Sequence, residues 1–238
     1  MNEIELIYCA DGNRRFAQLA IEAGFSYGAQ LPNTVHFAPQ FVDQDWKAPN
    51  LDKYMASLQK HKPRVATVLD WERWSQLPEV LAWAENAAEY SDTVIIIPKV
   101  IGSVAAIPEI IGGKPVRLGY SVPTKFGGSI VPLREFRNRP VHLLGGSPHR
   151  QMKISRMMNV VSVDGNYMQM MAINWNTFWT QNGEEKGRAN WARLDVVKQV
   201  DKDAPYEAFA RSCENIQTAW RRLQGNTFAD LPLFSFSR

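Results

Sequence analysis

The 238 residues carry 27 Lys and Arg against 24 Asp and Glu, a formal net charge of +3, and 45% of them are hydrophobic. Such a balance suits one globular domain, with or without an appendage, and permits a nucleic-acid partner without demanding one. Two cysteines, Cys9 and Cys213, exclude a Cys-rich zinc site, and no apolar run is long enough to cross a bilayer.

No His/Cys cluster has ligand spacing, and the acidic opening MNEIELIYCADGNRRF has no signal-peptide pattern. A cytoplasmic protein with no metal, no membrane segment and no redox cofactor is the expectation.

In chain order, Ile4–Ala10 reads as a first strand. Arg14–Gly24 sets Phe16, Leu19, Ala20 and Ala23 at helical spacing, and Gly24 is a natural stop. A second strand falls within Val35–Val42, although Pro39 makes it a poor central one. Leu51–His61 is helical, with Leu51, Tyr54, Met55 and Leu58 on one face. Val65–Leu69 is a strand, and Leu77–Tyr90 a helix with Pro78 in its first turn. Thr93–Ile97 is the most hydrophobic run and reads as a strand covered on both faces.

Val104–Ile111 reads as a short helix despite Pro108, Val116–Val122 as a strand, Pro132–Phe136 as a helical turn and Val141–Leu144 as a strand. Ser147 caps a helix running to Met158, with Pro148 at its first position. Val160–Val163 is the seventh strand candidate, and Asn166–Asn174 a further helix. The polar stretch 180–191 is a loop. Pro205–Leu223 is an amphipathic helix with Ala208, Phe209, Cys213, Ile216, Ala219 and Trp220 on one side.

Repeated strand–helix units favour a parallel sheet, and seven or eight of them favour a TIM-type (β/α) barrel over a doubly wound sheet. The chain is short for a full eight-fold barrel. The expected fold is a minimal or incomplete α/β barrel over 1–182, with a C-terminal helical appendage over 183–238 packed on it.

Active sites of such barrels lie at the C-terminal strand ends. Those ends read CADGN (9–13), VDQDW (42–46), LDWERW (69–74), PK (98–99), GYSVPT (119–124), LGGSP (144–148) and VDGN (163–166). Asp11, Asp43, Asp45, Asp70 and Asp164 would face one mouth. Carboxylates sharing a cleft raise one another's pKa and can divide nucleophile and acid/base roles. A lone Asp after a strand can equally be a helix cap or turn former, the reading accepted for Asp11. Gly145 and Gly146 permit close backbone approach, and His149, Arg150, Lys153 and Arg156 add positive charge, as a phosphate neighbour would need. The alternative is an ordinary capped turn with a solvated basic face. Trp46, Trp71 and Trp74 suit stacking on a base, or packing under the loops. His36, His61 and His142 have no partner pattern and read as structural or surface residues.

At VHLLGGSP…VVSVDGNY (141–167) the order of elements resembles the tRNA-guanine transglycosylases. The resemblance is closer to their DNA-acting relatives in bacteria and phages, which insert 7-deazaguanines into DNA. It covers roughly 35–170. Leu143, Leu144, Gly145 and Gly146 stand at the family's Gly-rich strand end, and Asp164 falls where its nucleophile should be. The resemblance makes Asp70 the acid that reads the guanine-like base and Asp43 the proton-handling group. It makes Gly119, Tyr120, Ser121 and Val122 the backbone lining of the base pocket. Pro98 and Lys99 replace the family's base-reading glutamine, no Gly-Gly-Phe turn follows Asp43, and the zinc subdomain of the tRNA enzymes is missing. That last difference favours DNA. The implied reaction exchanges guanine in DNA for a 7-deazaguanine base through a covalent Asp164–glycosyl intermediate. A helper protein or a homo-oligomer is left open. The competing expectations are a catalytically silent nucleic-acid-binding barrel and an unrelated glycoside or nucleoside hydrolase.

Overall fold

In the computed structural model, which describes residues 3–10, 13–125, 127–180, 190–194 and 202–225, the hydrophobic runs pair as parallel strands. β1 (Glu5–Cys9), β2 (Ser26–Leu31), β3 (Phe41–Gln44), β4 (Val65–Trp71) and β5 (Thr93–Pro98) are neighbours in that order. β6 (Ile110–Ile111) is a two-residue antiparallel strand beside β7 (Lys114–Ser121). β7, β8 (Val141–Leu144) and β9 (Val160–Gly165) complete the circuit. β5 pairs with β7, and β9 pairs with β1 through Glu5↔Ser162 to Tyr8↔Gly165. The result is a closed parallel barrel of eight strands, with helices outside it.

Closure depends on β2, which none of the seven strand candidates contained. Its sequence SYGAQL buries Tyr27, Ala29 and Leu31 outward and turns Ser26, Gly28 and Gln30 the other way. Gly28 is required by packing: a Cβ there would meet Phe41 Cδ1 at 2.9 Å and Ile7 Cγ2 at 3.1 Å. Of the segment 35–42 only Phe41 and Val42 join the sheet, as the start of β3. The Val104–Ile111 helix is not formed. Ser103–Ala106 makes one 3-10 turn, and Ile110–Ile111 folds back on β7. The two-residue turn between them is Gly112–Gly113, both at positive φ, which is the geometry that fits a hairpin's twist.

The helices are α1 (Arg14–Glu22), α2 (Leu51–His61), α3 (Leu77–Ala88), α4 (Pro148–Ser155), α5 (Tyr167–Trp175) and α6 (Ala204–Gly225). Asn13 caps α1 and Asn50 caps α2, each through its side-chain oxygen. Ser147 sits at the N-cap of α4 with Pro148 next, although its hydroxyl makes no capping bond, and the helix stops at Ser155. The short strands β10 (Thr177–Trp179) and β11 (Trp191–Arg193) form a separate antiparallel pair. α6 packs against α1, α5 and β10, and its Phe209 ring lies 4.9 Å from Phe16 and 5.1 Å from Tyr8. Asp11 and the segment 181–189 lie outside the described residues.

Side chains alternate along each strand, so the barrel has two cores. The larger lies between strands and helices and includes Leu6, Tyr8, Val42, Val68, Val94, Leu118, Leu143 and Val163. The smaller fills the barrel's middle: Ile7, Phe41, Val65, Ile95 and Ile97, with Cys9 and Leu144 against them. Inward residues above and below this plug are polar, and they define two mouths.

Candidate active site at the C-terminal mouth

Asp43 is the last inward-facing residue of β3. The Thr67 hydroxyl of neighbouring β4 donates to Asp43 Oδ1 at 2.6 Å while accepting the Gln44 N–H at 3.1 Å. That orientation leaves Oδ2 as the atom free to hold a proton. Burial raises the Asp43 pKa to about 7, Thr67 opposes the shift, and Asp164 and Asp70 add to it. Asp43 therefore gains and loses its proton near neutrality.

A register shift between Thr67 and Asp70 brings Asp70 to the mouth from β4. Lys99, just past β5, makes an ion pair with Asp70 Oδ2, and its Nζ is 3.8 Å from Glu72. Burial raises the Asp70 pKa, and Lys99 opposes it.

Asp164 ends β9. Its Oδ1 accepts the Gly145 N–H at 3.2 Å and lies 3.2 Å from His142 Nε2. Both contacts fall on one oxygen, so Oδ2 is available to a substrate. Gly145 (φ +63°) and Gly146 (φ +83°) make the turn that aims this N–H, and a Cβ on Gly146 would meet Val122 Cγ1 at 2.5 Å. Buried Gln151 ties the two loops together, donating to Gly145 O at 2.9 Å and Asp164 O at 2.7 Å.

Beneath Asp164 lies a chain that the sequence reading missed. His142 is fully buried and stacks on Phe41, ring centroids 4.9 Å apart. Its Nδ1 is 2.7 Å from Ser162 Oγ, and Arg117 Nη1 donates to the same Oγ at 2.7 Å. His142 and Ser162 are register partners on β8 and β9. A signal for them existed. Ser162 stands two residues before Asp164 and His142 two before Leu144, so each shares the inward parity of the residue it precedes.

The remaining residues named from sequence divide. Trp71 is corrected: it is fully buried, its Nε1 donates to Arg73 O at 2.7 Å, and it packs edge-on to Trp74. It directly follows inward Asp70 and so points outward, with no face to offer a base. Trp46 is 58% exposed beyond β3, with Lys47 Nζ 5.3 Å from its ring centre. Gly119 and Ser121 face inward, whereas Tyr120 and Val122 are buried outward, Tyr120 against Phe136. The Val122 N–H is committed to Leu144 O at 3.0 Å, and Ser121 O accepts from Ser129 N–H at 2.8 Å.

Beside the mouth runs a groove of about 920 Å³, whose lining includes Gly145, Gly146, Lys125, His149, Arg150, Asn166, Tyr167, Met170, Trp175 and Trp191. Trp175 is 58% exposed there. The described lining contains no carboxylate. Arg150 is anchored by a bond to Pro123 O. Lys153 and Arg156, both exposed, do not line this groove. No group of three or more acidic, His or Cys side chains able to hold a metal occurs among the described residues. No helix among them is long and apolar enough to cross a membrane.

The fold and the mouth define an α/β barrel with three aspartates at the end where such barrels place their chemistry. A family model matches residues 19–221, and the chain belongs to that family, the family of unknown function DUF6610. The match starts inside α1 and ends inside α6, so it takes in every barrel strand except β1. No curated protein matches the chain.

Proposed function

We propose that the chain is a DNA-guanine transglycosylase that exchanges guanine for a 7-deazaguanine base. The observation that carries this reading is the division of labour among the three acids. Asp164 has one oxygen held and one free, Asp43 holds a proton to about pH 7, and Asp70 lies beside them. Two carboxylates with separated roles are what substitution at an anomeric carbon requires.

Asp164 Oδ2 attacks C1′ of a deoxyguanosine. The C1′–N9 bond breaks, its electron pair goes to the purine, and Asp43 delivers a proton to the departing base. A glycosyl ester on Asp164 remains. The incoming 7-deazaguanine then gives its N9 proton to Asp43, its N9 bonds to C1′, and Asp164 leaves as a carboxylate. Protons and electrons balance, and the enzyme is regenerated. Asp70 suits the N1–H and amino donors of guanine, because an ionised carboxylate only accepts. Its Oδ2 is held by Lys99, so a base must share or displace that cation. The groove supports a polymeric substrate: Lys125 and Arg150 suit phosphates, and the exposed Trp175 ring suits an unstacked base.

Nucleoside mass spectrometry tests this. Purified protein is incubated with guanine-containing DNA and 7-cyano-7-deazaguanine, the DNA is digested, and the deaza-deoxynucleoside is sought, with Asp164→Asn alongside. Incorporation that vanishes in the variant is the expected result. Release of guanine without incorporation would make the protein a hydrolase, and binding without either product a silent nucleic-acid-binding barrel.

A further inference from the structure

The chain Arg117–Ser162–His142–Asp164 runs from the N-terminal mouth through the barrel to the C-terminal mouth. Arg117 lines a cavity of about 720 Å³ at the far mouth, with Arg64, Glu5 and Ser26. Glu5 is engaged there by the Ser26 hydroxyl at 2.6 Å and by Arg64.

Donors and acceptors on both sides constrain the imidazole in this chain. A guanidinium only donates, so Ser162 Oγ is the acceptor in the 2.7 Å contact with Arg117 Nη1. Ser162 Oγ then keeps its own proton and one lone pair, so it can either donate to His142 Nδ1, 2.7 Å away, or accept from it. An ionised Asp164 on the other side of the ring accepts only and so requires Nε2 to donate, which leaves Nδ1 to accept the Ser162 proton. A ring nitrogen that accepts carries no proton, so the imidazole proton sits on Nε2. That N–H faces Asp164 Oδ1 at 3.2 Å. Arg117 occupies one lone pair of Oγ and so biases the hydroxyl proton toward Nδ1; without it the hydroxyl turns more freely and can accept from Nδ1–H. The bare Nε2 lone pair would then face the carboxylate, and Asp164 would lose one of its two donors.

We propose that Arg117, acting through Ser162, fixes the His142 tautomer and so holds Asp164 in its attacking position. Arg117, Ser162 and His142 are positioning residues; none touches substrate. The claim that they serve catalysis rests on the base-exchange reading, whereas the tautomer itself does not. Outer partners of catalytic groups are worth about 10- to 100-fold in activity, and a wrong imidazole tautomer costs up to about 10⁴-fold in a hydrolase triad. Loss of Arg117 should therefore lower kcat by about 10- to 100-fold with little change in KM.

The far cavity supplies a test that a merely structural role would fail. In full-length protein with 15N-labelled histidine, long-range proton–nitrogen spectra report which ring nitrogen of His142 carries the proton. The wild type is expected to show protonated Nε2 and bare Nδ1. Arg117→Ala should show the other tautomer or a mixture. Guanidinium, added through the cavity well below denaturing concentration, should restore the wild-type pattern and, where base exchange is measured, kcat. Ser162→Ala breaks the chain in its middle and should not be rescued. A wild-type Nδ1–H pattern, or an Arg117→Ala spectrum identical to the wild type, would overturn the proposal. So would guanidinium restoring Ser162→Ala as readily as Arg117→Ala. A wild-type protein with the predicted tautomer and rescue but no base exchange would leave the relay standing and refute the activity.

Discussion

Asp43→Asn separates a tuned acid from an ordinary buried one. The folded protein raises the Asp43 pKa from 3.8 to about 7, so between those values the folded state binds a proton that the unfolded chain has released. Stability contributed at this position is present on the acid side and falls as pH rises through that window. A tenfold change in proton affinity is worth about 1.4 kcal/mol, so the rise from 3.8 to about 7 corresponds to roughly 4 kcal/mol. Asp43 is only half-buried, and water in the mouth screens its charge, which brings the expected loss to about 2 to 3 kcal/mol. Asn keeps an oxygen for the Thr67 hydroxyl and cannot ionise. The variant should match the wild type at about pH 3, below both pKa values, and exceed it by about that amount near pH 8. Urea denaturation at closely spaced pH values, compared as variant minus wild type, cancels the other titrating groups. The same substitution should lower base exchange by about 10²- to 10⁴-fold, and wild-type kcat should decline above pH 7. A variant-minus-wild-type difference that stays flat from about pH 3 to 8 would refute the assignment of a raised pKa to Asp43.

Lys99→Met removes the cation that opposes the burial of Asp70. The Asp70 pKa should rise further, and the acid limb of the pH profile for base binding, read as 1/KM, should move to higher pH. Phe209→Ala empties a fully buried site between Tyr8 and Phe16 and should cost about 3–5 kcal/mol by denaturant titration. In the groove, Trp175→Ala should weaken binding of a labelled single-stranded oligonucleotide by about 1–3 kcal/mol in fluorescence anisotropy. Arg150→Ala should flatten the dependence of log K on log salt by about 0.7 if it neutralises one phosphate.

The barrel was legible because strand–helix alternation is a periodic signal. What escaped were elements whose inward face is not hydrophobic. β2 carries Ser26, Gly28 and Gln30 inward, and its Gly28 is dictated by the volume of Phe41 on the next strand, which no local pattern encodes. The Gly112–Gly113 hairpin was legible in principle, but the apolar run before it, broken by Pro108, resembled a helix. At the site, the aspartates could be named because acids at strand ends stand out. Strand parity marks His142 and Ser162 as inward, but the pairings themselves could not be read: Thr67 meets Asp43 across 24 positions, and His142 meets Asp164 across 22. Trp71 shows that adjacency in sequence misleads on a strand, since the neighbour of an inward residue points outward. Lys99 was read as a base-pocket residue, and its bond to Asp70 came only with the register of β4 against β5.

The barrel's seam has a consequence for synthesis. β1 is hydrogen-bonded to β9, and the Phe16 face of α1 is covered by Phe209 of α6. At about 5–20 residues per second, roughly 10 to 40 s separate the translation of Phe16 from that of Phe209. Throughout that interval Tyr8 and Phe16 lack their final cover, and until β9 is made β1 also has one unpaired edge. A nascent chain in this state is a natural client for a holdase chaperone. Ribosome-bound fragments ending before α6 should recruit one, and release it once the last helix emerges.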